Sequence, residues 1–458
     1  MSAASGILTK PVVEVESTRS VKGPQAPTSL KDTGLSEELL IQLLVKTLVS
    51  TGELTEASGG AHLKLPYSVM KELFTILQRD KLCAVRGHGE PLGVLYRYTL
   101  TDEGRNRAQA YFEISRYVGP APVPLAQYAE MINRQPISRL KINRAIVEQA
   151  TAHLILPEKT VEQIGEAINS GWPIFLYGPP GNGKTVIAEA IGQMLKMVGG
   201  GEIYIPYAVE VDGQIIQVFD PISHQSSGAP VEVSNSFIET KIECDPRWEL
   251  CRRPVEFAGG ELTMGMLDLS FNPIAKYYKA PPHIKANGGV FLIDDFGRQL
   301  VRPRDLLNRW IVPLEKRVDY LTLHSGKVFQ IPFDTIVIFA TNLEPQKLAD
   351  EAFLRRIRNK VYIADPTRQQ YAYIFQKICE SKGVPFVPEA VEYLFENIYD
   401  KYHLNMRSCH PRDLIEQVVS IAKFKDVPPT LDKTLLDRAC HTYFFVEEEQ
   451  GEADAGEY

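Results

Sequence analysis

The chain has 458 residues, 44% hydrophobic and 23% charged, which gives room for about three domains, each with its own core. Its formal net charge of −7 is concentrated at one end, where residues 447–458 (EEEQGEADAGEY) carry six acids and no base, so the remainder is nearly neutral. No apolar run approaches the roughly 18–20 residues that span a bilayer, and the N-terminus lacks a basic start followed by an apolar stretch, so neither a membrane helix nor a secretory signal is expected.

Residues 1–33 hold few large apolar side chains and several Pro, Ser and Gly, and are expected to be disordered. A helix follows from Leu35 to Leu48, capped by Ser36, with Glu37 and Glu38 in its first turn. A second runs from Pro66 to Arg79, with Val69, Leu73, Ile76 and Leu77 at helical spacing. LCAVRGHGEPLGVLYRYTL reads as a β-hairpin turning around Gly87–Gly89, and Thr101 and Asp102 open a helix that ends near Gly119. This order of elements resembles a winged-helix module over residues 34–118. GPAPVPL (119–125) opens a proline-rich linker, taken as 119–135.

Residues 174–185, IFLYGPPGNGKT, are an apolar strand running into a turn that matches G-x-x-x-x-G-K-[ST] at every fixed position. Gly178, Gly181 and Gly183, with Pro179, Pro180 and Asn182 between them, allow successive backbone N–H groups to turn inward around an anion. The helix from Val186 to about Met197 points its positive end there, Lys184 adds a full charge, and the Thr185 hydroxyl can ligate Mg²⁺. A nucleoside triphosphate, ATP, is the expected ligand. Residues 199–289 read as a strand-rich insertion, with one hairpin turning at Asp212-Gly213. Two buried parallel strands follow, VFLID (290–294) and TIVIFATN (335–342). The first delivers Asp294, suited to the metal, and Asp295, suited to orienting the attacking water. Residues 366–446 are amphipathic helix throughout. The six cysteines (83, 244, 251, 379, 409 and 440) lack metal-ligand spacing and read as reduced residues of a cytoplasmic protein.

Together these motifs resemble the AAA+ ATPases across residues 136–446. The resemblance implies a parallel-sheet α/β core at 136–365, interrupted by the insertion, and a C-terminal helical lid before the acidic disordered tail at 447–458. The family usually has Glu where this chain has Asp295, which implies slower hydrolysis. Asn342 matches the polar strand-end residue that contacts the γ-phosphate and water. In DEAFLRRIRNKVYIAD (350–365), Arg356, with Arg355 second, matches the arginine that reaches a neighbour's nucleotide, so a hexameric ring is implied. Arg412, in CHPRDLIEQVV, matches the lid arginine that touches the γ-phosphate. The helix and hairpin before the Asn342 strand resemble the MoxR-like and enhancer-binding branches. The function so implied is chaperone-like: ATP hydrolysis coupled to remodelling a protein partner. The alternatives are a DNA-binding regulator acting through the winged helix, or a slow nucleotide-switched binding module. Residues 34–118 hold ten Lys/Arg and ten Asp/Glu, which favours a protein over DNA as the contact of that domain.

Overall fold

A computed structural model describes residues 22–88, 96–228, 244–348 and 351–444. The expected acidic tail, the first 21 residues of the expected disordered segment and the tip of the first hairpin, Gly89 included, lie outside them. Helices Glu37–Thr51, Glu56–Leu63 and Tyr67–Arg79 pack on the hairpin Cys83–His88/Tyr96–Leu100 and a closing helix, Asp102–Ile114. A bridge from Leu54 to Tyr98 sets a third segment of chain beside the hairpin. Ser36 caps the first helix by accepting from the Leu39 N–H. The second helix carries no sequence signal, because EASGGAHL has two glycines of low helix propensity. Those glycines admit the neighbouring chain: a Cβ on Gly60 would stand 2.7 Å from the Leu65 carbonyl oxygen.

Two segments expected to be loose are packed instead. In residues 22–33, the Pro24 carbonyl accepts from the Asp245 N–H at 2.9 Å, and Thr33 is fully buried. Within 119–135, Val123–Pro124 joins a sheet and Leu125–Arg134 is a helix burying Tyr128, Met131 and Ile132. Proline content suggests a linker here, but prolines also suit a sheet edge and a helix entry, and Pro124 serves at both.

The central sheet has five parallel strands: β1 (Ile174–Tyr177), β2 (Val255–Ala258), β3 (Val290–Ile293), β4 (Ile336–Thr341) and β5 (Asn359–Tyr362). Their spatial order is β5-β1-β4-β3-β2. Strands β3 and β4 are buried along their whole length, as their unbroken apolar sequences require. One face packs on the P-loop helix Lys184–Met197 and on Glu158–Ser170; the other buries Phe175, Phe291, Trp310 and Phe339.

The stretch 199–289 is therefore not wholly an insertion, since β2 lies inside it. Of its other strands, Glu202–Pro206 and Trp248–Arg252 pair with each other, and the remaining four join Val123–Pro124 in a second, mixed sheet in the order Ser270–Asn272, Tyr277–Lys279, Gln214–Gln217, Ala208–Val211, Val123–Pro124. Asp212 and Gly213, both at positive φ (55° and 75°), close its expected hairpin. The N-terminal helices and hairpin dock on this sheet: their core takes in Ala208 and Ile215, and Tyr117 meets Tyr277 edge-on at 5.4 Å. Tyr277 and Tyr278 are thus packing residues. The C-terminal helices Arg368–Lys382, Pro388–Leu394, His410–Lys425 and Lys433–Phe444 enclose Tyr371, Phe375, Leu394, Leu414 and Val418. Among the described residues no helix is long and apolar enough to cross a membrane.

Candidate nucleotide site

Strand β1 ends at Tyr177, and the turn that follows holds Gly178, Gly181 and Gly183 at φ of 144°, 79° and 76°. A side chain at Gly178 would meet the Ile363 carbonyl oxygen at 2.2 Å, whereas one at Gly183 would meet nothing within 4 Å. The loop is therefore pressed against β5 on one side and open on the other, where an anion would enter. Lys184 is buried, and its Nζ donates to the Gly178 and Pro179 carbonyls at 3.0 and 2.8 Å. Burial pushes its ammonium below the ordinary value; Asp294 and Asp295 act against this, while Arg407 adds to it.

The carboxylate strand lies two places away, with β4 between. Thr185 Oγ1 donates to Asp294 Oδ2 at 2.7 Å, so the hydroxyl and carboxylate expected at the metal stand together. The Asp295 N–H donates to Asp294 Oδ1 at 3.0 Å, and Gln299 Nε2 to the Asp294 carbonyl at 2.7 Å. Asp295 has φ of 48° and is exposed; its Oδ1 accepts from Asn342 Nδ2 at 3.3 Å. Asp294, Asp295, Asn342 and the P-loop are thereby brought to one end of the sheet. Among the described residues no group of three or more His, Cys, Asp or Glu could hold a resident metal ion. A Thr hydroxyl beside one carboxylate does fit Mg²⁺ arriving with phosphates, since that ion keeps most of its waters and takes few protein oxygens.

The arginines divide. Arg355 and Arg356 lie in a turn after the short helix Glu351–Leu354, not on a helix. Asn359 pairs with Ile174 at the start of β1, so both arginines sit at the end of the sheet remote from this chain's own P-loop. Arg355 is exposed, Arg356 Nε donates to Glu315 Oε1 at 2.6 Å, and Arg358 lies over the Trp172 ring at 3.8 Å. Arg412 turns outward: its side chain is 59% exposed and pairs with Asp413 at 2.9 Å. That pairing raises its guanidinium pKa. The lid residue at the P-loop is Arg407, paired with Asp365, which also accepts from Asn182 Nδ2 at 2.6 Å. The sequence reading missed Asp365, Arg407 and Gln299. A second arginine five positions before Arg412 was the one available signal, and nothing local ranks it higher.

The P-loop strand is flanked by the Asn342 strand, the carboxylate strand comes next, and a helical lid follows β5. This is an α/β P-loop fold with a helical C-terminal region, the arrangement that the resemblance to the AAA+ ATPases implies. A family described as "Domain of unknown function (DUF8689)" matches residues 367–442, the segment of the C-terminal helices. Vesicular-fusion protein sec18 of Schizosaccharomyces pombe is 41% identical over 80 residues, 16% of this chain and 10% of that protein. The vesicle-fusing ATPase of Caenorhabditis elegans is 37% identical over 79 residues, 16% of this chain and 9% of that one. The chain thus spans about a tenth of the curated relatives it matches. Among solved structures, NtrX from Brucella abortus overlaps with a TM-score of 0.40 at 13% identity, over 68% of this chain and 60% of that one. The Thermotoga maritima RuvB branch migration motor gives 0.37 and 13%, over 65% and 72%.

Proposed function

We propose that this chain binds ATP with Mg²⁺ and hydrolyses it to remodel a protein partner, working as a hexameric ring in the cytoplasm. The observation that carries the reading is the Thr185–Asp294 contact at 2.7 Å beside a buried Lys184. The local matches to vesicle-fusing ATPases support it. On this reading the P-loop amides and Lys184 hold the phosphates, while Thr185 and Asp294 hold the metal. Bound Mg²⁺ would neutralise charge between the β- and γ-phosphates. Asp295 accepts a proton from the attacking water, and Asn342 fixes the Asp295 carboxylate. An arginine from the neighbouring subunit completes the site, because Arg355 and Arg356 are too far from their own P-loop to do so. The helix and hairpin before β4 support a MoxR-like or enhancer-binding-like branch.

A second reading, a slow nucleotide-dependent switch, is favoured by Asp295 itself. Its side chain is one methylene shorter than the family's usual Glu and is engaged by Asn342. Steady-state turnover separates the two: a switch would show tight nucleotide binding with negligible multiple turnover. For the motor reading, Asp295→Asn loaded with ATP should retain the protein partner in a pull-down, and Lys184→Ala should lose it. Equal recovery with both variants would refute ATP-dependent engagement.

A further inference from the structure

The P-loop of this chain is fastened to the lid by a cluster that nucleotide binding alone does not require. Asn182 occupies a position that the phosphate-binding pattern leaves free, yet it is polar and only 4% exposed. Both ends of its amide are used: Nδ2 donates to Asp365 Oδ1 at 2.6 Å, and Oδ1 accepts from the Ser408 N–H at 3.0 Å. Arg407 pairs with the same Asp365 oxygen. One residue further on, the Cys409 N–H donates to the Gly181 carbonyl at 2.9 Å. The packing is as close as the bonding, for a Cβ on Gly181 would stand 2.6 Å from Cys409 Sγ. Asp365 lies in the segment just after β5, Asn182 in the P-loop, and Arg407–Cys409 at the entry of a lid helix.

We propose that Asp365 is a positioning residue that latches the lid entry to the P-loop, and that phosphate occupancy is passed to the lid through its bonds to Asn182 and Arg407. The inference rests on the nucleotide reading above. Its physics is charge competition. Asp365 is the carboxylate that holds Arg407 near the P-loop. Phosphates arriving at Lys184 bring more negative charge, which repels Asp365 and draws Arg407 away from it. The pair then loosens, Asn182 loses its fixed acceptor, and the lid entry is freed to move.

Amide hydrogen exchange at Ser408 and Cys409 in the full chain tests this, because neither amide bonds Asp365 directly. Asp365→Asn without nucleotide should speed exchange at both amides by about tenfold or more, the scale of a lost charge-assisted bond. Arg407→Gln should do the same, and Arg407→Lys should keep part of the protection. Adding ADP should speed exchange in the parent and add little in Asp365→Asn. Unchanged exchange in both Asp365→Asn and Arg407→Gln would overturn the latch. Unchanged exchange in the parent, while a fluorescent ADP analogue titrates normally, would overturn the transmission of occupancy. A parent that binds no ADP analogue refutes the nucleotide reading and the transmission with it, whereas the nucleotide-free comparison still decides the latch.

Discussion

The Lys184 ammonium donates to the Gly178 and Pro179 carbonyls, acceptors that phosphate oxygens would replace. Lys184→Ala should therefore abolish binding of a fluorescent ATP analogue. Asp295→Asn should bind it nearly as the parent does, because Thr185 and Asp294 survive, but turnover should fall roughly 10²-fold or more. Parent-like turnover by Asp295→Asn would reverse the roles given to the two aspartates. Every P-loop residue and both aspartates were legible in the sequence, because each set is contiguous and its spacing alone fixes its geometry. Asp365 and Arg407 were not, since they reach the P-loop from positions 183 and more than 200 residues along the chain. Arg412 has the more suggestive local setting, at a helix start after proline, but its neighbour Asp413 takes its charge.

At the scale of elements, the turn before β5 carries a prediction about assembly. Arg356→Ala or Arg355→Ala should bind nucleotide yet hydrolyse poorly, and mixing either with Lys184→Ala should restore some turnover, because each partner retains what the other lacks. An arginine supplied in trans contributes about 10³–10⁵-fold in related enzymes, so the rescue should be measurable. Activity independent of protein concentration, with no rescue on mixing, would argue for a monomeric enzyme. The lid has a pH response of its own. His410 is buried, its Nδ1 accepts from the Arg407 N–H at 3.3 Å, and Tyr399 Oη lies 2.9 Å from the same nitrogen. Burial, with help from Arg407, pushes its pKa down from 6.5 to about 4. Protons therefore bind the unfolded chain first, and lid stability, complete above about pH 6.5, should decline towards pH 4 by on the order of 3 kcal/mol. Thermal melts of parent and His410→Asn across that range would test this, the variant losing the slope. Elements with strong periodicity were legible, the helix at Tyr67–Arg79 among them. Strand β2 was hidden because VEFA is only four residues long and is interrupted by Glu256, and only its pairing with β3 makes it a strand.

Across the whole molecule, residues 34–118 pack against the second sheet, and the winged-helix resemblance of that segment carries the expectation of a protein rather than a DNA partner. In its third helix Arg79 is paired with Asp80 at 2.9 Å, and Glu72 accepts from the Leu30 N–H at 3.0 Å, which covers part of that face with the N-terminal segment. Titrating the full chain with random duplex at low salt should give no micromolar, salt-sensitive binding, and such binding would overturn the preference for protein. The docking itself depends on Arg247, which is 1% exposed. Its guanidinium donates to the Thr33 carbonyl at 2.9 Å, the Pro122 carbonyl at 3.1 Å, Gln127 at 3.3 Å and Asp245 at 2.7 Å. Arg247→Ala leaves Asp245 buried without its counter-charge and should cost about 3–5 kcal/mol in chemical denaturation. The spacing of those partners has a further consequence, for the order of events at the ribosome. Thr33 and Pro122 precede Arg247 by 214 and 125 residues, so the knot cannot be tied until more than half the chain has been synthesised. The N-terminal helices and hairpin, which share one core, can form early and must then wait, with Ala208 and Ile215 as their first landing points, until residue 247 emerges to lock them down.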